Sequence, residues 1–305
     1  YSVEWRVYDD GVAYRMHTNL KGRVKVLSED FNIQLKEDTR LVLQQPRGFK
    51  TSCEEEYTNV QSASWKQDDR MSELPLVIAG KNQKMFVSEF CLFDYPGMFM
   101  KGNADNSLSA VHPQVPLEFG DDGDRSVKIT KEADYIAETD GTRSYPWRYI
   151  HITADDKDMV YNTMPMRLAP ASEIADPSWI RPGKTTWEWW NGSIPYGPDV
   201  NFKSGLNIET YKYFVDFAAA NGLEYILMDE GWAKSTRDPF TPNPDIDLHE
   251  LIDYAKSKNV GVILWLTWLT VENHPTMFET FEKWGVSGVK IDFMDRQDQW
   301  MVKFY

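Results

Sequence analysis

Between residues 185 and 305, short apolar runs alternate with stretches of helical spacing, and no other feature constrains the fold as strongly. TTWEWWNG reads as a strand. NIETYKYFVDFAAANG follows with apolar residues at helical intervals and a glycine stop. LEYILMDEGW is a second strand, and DLHELIDYAKSKN a second helix with Asp247 as its cap and Glu250 at capping-box spacing. VGVILWLTW is a third strand, PTMFETFEKWG a helix with Pro275 at its start, VSGVKIDFMD a fourth strand, and QDQWMVKFY the opening of another helix. Strands this continuously apolar mark a parallel sheet covered on both faces. An open doubly wound sheet and a (β/α)8 barrel both satisfy the pattern.

The strand ends favour the barrel. Residues 189–191, 229–232, 267–268 and 292–295 are mostly polar or aromatic, and in a barrel the C-terminal strand ends converge on one site. Four units make half a barrel, which would leave two open parallel edges. About four further units are therefore expected beyond residue 305. The opening YSVEWRVYDDGVAYRMHT starts in mid-pattern, which is compatible with an earlier N-terminus.

Residues 1–165 have a different texture. VEWRVYDDGVAYRMHT is two alternating runs around Asp-Asp-Gly, a hairpin signal. GRVKVLSEDFNIQL, TRLVLQQP, LPLVIAG, MFVSEFCLFD, RSVKITKEADYIAETD and WRYIHITADD add short strands between turn residues. Many short strands without helical periodicity predict a sandwich of antiparallel sheets. The Pro-, Ala- and Ser-rich residues 166–184 read as a linker, which leaves 185–305 as the α/β part.

The formal net charge of −14 disfavours nucleic acid and anionic lipid as partners. It suits neutral substrates or bound cations. The 12 Trp and 15 Tyr either fill large cores or offer flat platforms to sugar rings. No run of about 18 apolar residues is present to span a membrane. The two cysteines, Cys53 and Cys91, have no CxxC spacing, and a disulfide between them stays open. The five histidines show no ligand spacing, and no glycine-rich nucleotide motif exists.

Asp292 is the sharpest candidate for chemistry. Val289, Ile291 and Phe293 alternate with Lys290 and Asp292, so the charged pair shares a face of a strand that otherwise reads as buried. A nearby cation keeps a carboxylate ionised, and an ionised, oriented carboxylate suits attack on an anomeric carbon. The plain alternative is an Asp that caps the next turn or pairs with Lys290 or Arg296. In MDEGW, Asp229 and Glu230 would grip vicinal hydroxyls while Trp232 stacks on a ring face, or they form an acidic helix entry. In WEWWNG, alternation puts Trp187 and Trp189 on one face and Glu188 and Trp190 on the other, with at least one pair in a core. LWLTW places Trp265 and Thr267 together without a carboxylate. Glu89, taken alone, reads as a surface or edge residue.

The order of sandwich, Pro-rich linker, WEWWN, DEGW, LWLTW and GVKIDFMD resembles glycoside hydrolase family 97, with SEFCLFDYPGMF adding to the likeness. DEGW and VKIDF also resemble strand ends of the wider clan of α-galactosidases. The resemblance implies two mechanistic branches. Inverting α-glucosidases carry a base Glu on the third barrel strand and a Gly on the fourth. Retaining α-galactosidases carry an Asp nucleophile on the fourth. Thr267 stands where the base would be, and Asp292 is present, so the resemblance implies the retaining branch. It also implies a calcium ion with Glu89 among its ligands and the other ligands beyond residue 305, and an acid/base from a later strand, likewise beyond residue 305.

The expected protein is thus a retaining, exo-acting α-galactosidase made of an N-terminal antiparallel β-sandwich and the first half of a (β/α)8 TIM barrel. Asp292 is the expected nucleophile. Trp187, Glu188, Asp229, Glu230, Trp232, Trp265 and Lys290 are the expected substrate contacts, and Glu89 the expected ligand of Ca2+. The substrate would be an α-galactoside oligosaccharide or polysaccharide, and the location periplasmic or otherwise extracytoplasmic. The rivals are an inverting α-glucosidase, a non-catalytic carbohydrate-binding protein, and an aromatic-rich domain without a ligand.

Overall fold

The computed structural model describes all of residues 1–305. The chain forms two compact units. One holds Tyr1–Gly120, Ile129–Glu173 and Asp295–Tyr305, and the other holds Asp121–Lys128 and Ile174–Met294. No helix is long and apolar enough to cross a membrane.

The first unit is antiparallel and sandwich-like. Ser2–Tyr8 pairs with Gly11–Val26 through a two-residue turn at Asp9 and Asp10, as the Asp-Asp-Gly signal predicts. The long strand Gly11–Val26 lies in an eight-stranded sheet with Trp147–Thr153, Lys84–Phe90, Leu76–Ala79, Arg40–Gln44, Tyr57–Gln61 and Ala137–Ser144. A second sheet has three strands, Asn32–Gln34, Ser107–Val111 and Phe99–Gly102. Leu41, Leu43, Leu76, Ile78 and Val87 of the large sheet share one core with Met100 and Leu108 of the small one. That shared core is what makes two layers of two amphipathic sheets. On the large sheet's other side, Met164 and Leu168 of the short helix Met164–Leu168 pack with Ala13, Trp147 and Tyr149. Residues 169–184 contain no helix or strand. Cys53 and Cys91 are both free thiols.

The second unit is built on four parallel strands: β1 (Thr185–Trp187), β2 (Tyr225–Met228), β3 (Gly261–Thr267) and β4 (Gly288–Asp292). Their spatial order is their chain order. The intervening helices include α1 (Ile208–Asn221), α2 (Leu248–Ser257) and α3 (Met277–Trp284), with a shorter helix Trp268–Asn273 directly after β3. α1 buries Tyr211, Phe214, Val215 and Ala218, and α2 buries Leu248, Leu251, Ile252 and Ala255. Both sets follow the i, i+3, i+4, i+7 spacing of one helical stripe. Asn207 and Asp247 cap these two helices by accepting the backbone N–H of Thr210 and Glu250. Gly222 and Gly285 end α1 and α3 in the left-handed conformation.

Two sequence expectations change here. TTWEWWNG is a strand only through Trp187. Glu188–Asn191 turns into a 3-10 helix, so the predicted alternation of Trp187 with Trp189 and Glu188 with Trp190 fails. Glu188 points inward and is buried, while Trp189 and Trp190 are exposed. β4, which reads as buried, is intermediate in exposure along its whole length because it pairs only with β3.

Candidate active site

Strand register assembles the site. Trp187 lies beside Leu227, Leu227 beside Ile263, and Trp265 and Thr267 beside Lys290 and Asp292. Side chains alternate along each strand. Trp187, Asp229, Trp265, Thr267, Lys290 and Asp292 therefore share one face of the sheet at the C-terminal strand ends. The alternate residues Ile226, Met228, Val262, Leu264 and Leu266 are buried.

Asp292 is held from three directions. Its Oδ2 accepts the Trp265 indole Nε1–H at 3.0 Å and lies 3.1 Å from Lys290 Nζ. Its Oδ1 accepts the Phe293 backbone N–H at 2.8 Å. Partial burial works against ionisation, but the Trp265 indole, the Phe293 amide and Lys290 outweigh it and keep the carboxyl below its usual range. Phe293 has φ +67°, a left-handed conformation costing roughly 1–3 kcal/mol in a non-glycine residue.

Lys290 Nζ also lies 3.3 Å from Asp229 Oδ2 and 4.1 Å from the centroid of the Trp187 ring. Trp187 Nε1 donates to that same Asp229 oxygen at 2.7 Å. Glu188 supports this cluster from beneath. Its Oε1 accepts the Asp229 backbone N–H at 2.8 Å and the Tyr211 hydroxyl at 2.8 Å. Burial pushes the Glu188 carboxyl upward despite those donors. Glu188 is 2% exposed, so it props up Asp229 and offers little surface to a sugar.

The remaining expected contacts divide. Trp232 is buried against Phe281 and donates its indole N–H to the Trp265 carbonyl, so it packs the sheet and presents no ring face. Glu230 is exposed and paired with Arg125, whose Nη2 lies 2.9 and 2.8 Å from its two oxygens. Thr267 is buried and caps the following helical turn by accepting the Thr270 N–H. A cleft of about 340 Å³ opens beside this end of the sheet, lined by Glu230, Trp232, Thr236, Trp265 and Asp124 among others.

The sequence expectations passed over Arg125, Asp124 and Tyr211. Tyr211 falls on the apolar stripe of α1 and gave no sign of a polar partner. Asp124 and Arg125 stand in GDDGDR, which reads as a polar turn.

Family models match residues 1–170 as Glycosyl-hydrolase 97 N-terminal and residues 189–305 as Glycoside hydrolase 97. The chain belongs to glycoside hydrolase family 97. It is 36% identical, over all of its length and 48% of the relative's, to a retaining alpha-galactosidase of Bacteroides thetaiotaomicron. It is 30% identical to a probable retaining alpha-galactosidase of Streptomyces bingchenggensis, over 98% of this chain and 43% of that protein. The chain thus spans about half the length of these curated relatives. A family 97 enzyme of Pseudoalteromonas sp. strain K8, solved with acarbose, shares the fold at TM-score 0.79 and 21% identity. That match covers 99% of this chain and 48% of the other.

Glu89 departs from what its sequence setting alone suggests. It is not a surface or edge residue. Its strand Lys84–Phe90 lies between two neighbours in the large sheet, and its side chain is buried. Oε1 accepts the Met98 N–H at 2.9 Å, and Oε2 accepts from Arg148 Nη1. Arg148 also holds Glu29 through two contacts of 2.7 Å. Burial drives the Glu89 carboxyl up to about 7, even with Arg148 opposing it. Both oxygens of Glu89 are thus engaged, one by the Met98 amide and one by the Arg148 guanidinium. No group of three or more His, Cys, Asp or Glu side chains in this chain is placed to hold a metal ion.

Proposed function

We propose that the protein is a retaining α-galactosidase, that Asp292 is its nucleophile, and that β1–β4 form the first half of a (β/α)8 barrel. One observation carries the reading. A carboxylate at the end of the fourth parallel strand is kept ionised and oriented by an indole N–H, a backbone N–H and an ammonium group, while Thr267 beside it in register bears no carboxylate. The consecutive strand order and the clustering of polar groups at C-terminal strand ends support the barrel. The names of the two curated relatives support the galactoside.

A carboxylate oxygen of Asp292 attacks the anomeric carbon from the β face as the bond to the aglycone oxygen breaks. The leaving oxygen takes a proton from a second carboxyl about 5–5.5 Å from the nucleophile. Water then attacks the glycosyl ester, gives its proton to that second group, and releases galactose of retained α configuration. Among residues 1–305 no carboxyl is assigned the second role. Glu188 is committed to Asp229 and Tyr211, and Glu230 to Arg125. Asp229 binds ring hydroxyls, Lys290 links Asp229 to Asp292, and Trp187 supports the ammonium from below.

The test uses the intact protein. Asp292→Gly is expected to abolish hydrolysis of an aryl α-galactoside, and added azide to restore turnover as β-galactosyl azide. Proton NMR of the unsubstituted enzyme should show α-galactose as the first product. Undiminished activity in the variant, or β-galactose first, rejects Asp292 as nucleophile.

A further inference from the structure

We infer that Arg125 is a positioning residue for Asp292, clamping Phe293 so that the Phe293 N–H stays on the carboxylate. The inference rests on the reading of Asp292 as nucleophile. Residues 121–128 are the tip of the hairpin formed by Pro116–Asp122 and Ser126–Glu132, and this tip belongs to the same compact unit as β1–β4. Gly123 turns it at φ +85°, a conformation that favours glycine.

The tip is tied down on several sides. Asp124 Oδ2 accepts the Thr236 hydroxyl at 2.5 Å, and the Gly123 carbonyl accepts Arg237 Nη2 at 3.0 Å. Thus anchored, Arg125 reaches two strand ends at once. Its Nη2 holds both oxygens of Glu230, just past β2. Its guanidinium carbon lies 5.1 Å from the centroid of Phe293, just past β4. A second partner of Phe293 is Trp265, edge-on at 6.2 Å and 88°, the same indole that donates to Asp292.

Phe293 therefore contacts both a planar cation and an indole while its own backbone is left-handed. Its N–H, in the peptide that joins it to Asp292, donates to Asp292 Oδ1. A left-handed Phe relaxes unless its surroundings hold it. Glu230 fixes the guanidinium, the guanidinium covers the ring, and the ring fixes the amide that orients the nucleophile. Arg125 needs no contact with substrate for this role.

The experiment reads the intact protein by kinetics and by NMR. Arg125→Met is expected to lower kcat on an aryl α-galactoside roughly 10- to 100-fold with KM little changed, since small misplacements of reacting groups cost that much. Arg125→Lys should recover part of the loss. In a Phe293→Gly background the turn carries no strain, so adding Arg125→Met should cost much less than in the parent. A KM rise at constant kcat, equal losses in both backgrounds, or no loss at all overturns the inference.

A second readout needs no turnover. The Trp265 indole N–H resonance should titrate with Asp292. Glu230→Met removes a negative charge, which by electrostatics alone would move that titration to lower pH. Loss of the clamp frees the Phe293 amide and moves it to higher pH. An upward move supports the clamp, and a downward or null result rejects it. If Asp292→Gly keeps full activity, the functional reading fails, and the indole titration still decides the clamp.

Discussion

Each compact unit places one cation between two carboxylates, and the two arrangements do different work. In the sandwich-like unit Arg148 lies between Glu29 and Glu89, with 1% of its side chain exposed. In the parallel unit Lys290 lies between Asp229 and Asp292, with 28% exposed. Deep burial makes desolvation dominate the first cluster. Glu29 is held below its ordinary value against that burial by Arg148, whereas Glu89 is pushed up to about 7. One guanidinium does not fully compensate two buried carboxylates. In the second cluster burial is only partial, and the donors keep Asp292 ionised. The same charge pattern is dominated by desolvation where water is excluded and by its donors where one side stays open.

Substitutions can break this contrast. The largest effect is expected at Asp292. Asp292→Asn should lower kcat by roughly 10⁴-fold or more while leaving the melting temperature nearly unchanged, as measured by steady-state kinetics and calorimetry. Arg148→Met should do the reverse. Removing one partner of a buried ion cluster costs about 3–5 kcal/mol, to be read by denaturant unfolding. Replacing Glu29, Glu89 and Arg148 together by apolar residues should recover most of that loss. If the single variant is as stable as the parent, the sandwich cluster is not structural.

Smaller effects sharpen the comparison. Lys290→Met should lower kcat/KM roughly 10- to 100-fold, the worth of hydrogen bonds to charged groups. The acid limb of the pH profile should move to higher pH, because Asp292 loses a cation that favours its ionised form. Trp265→Phe should shift that limb the same way, with about a tenfold loss. The smallest effect is on stability against pH. Glu89 binds its proton more tightly folded than unfolded, so stability should rise as pH falls from about 7 toward its ordinary 4.5. Glu29 has the opposite shift, so its contribution is present above its ordinary 4.5 and is lost as pH falls through its lower folded value. Melting curves for the Glu89→Gln variant should lack the first of these slopes.

Parts of the site are legible in the order of residues alone. Apolar periodicity locates β2 and β3, and the cap Asp247 marks a helix start because a short polar side chain satisfies a free amide group there. Asp292 stands out as a charge in an apolar strand. Burial is harder to read. Trp232 looks like a ring platform in DEGW, yet α3 supplies Phe281 to cover it. Glu188 looks like a ligand contact, yet the chain coils at that point and turns its carboxylate under Asp229.

The sequence by itself determined the two textures of the chain, the four strand ends that gather polar side chains, and the lone Asp292 among apolar neighbours. These follow from local periodicity and composition. Only the tertiary structure decided that Glu89 spends its charge on Arg148, that Glu230 belongs to Arg125, and that a hairpin tip far upstream in the chain covers Phe293. Those pairings depend on contacts between segments distant in sequence, and neither spacing nor propensity encodes which distant charge a carboxylate will meet.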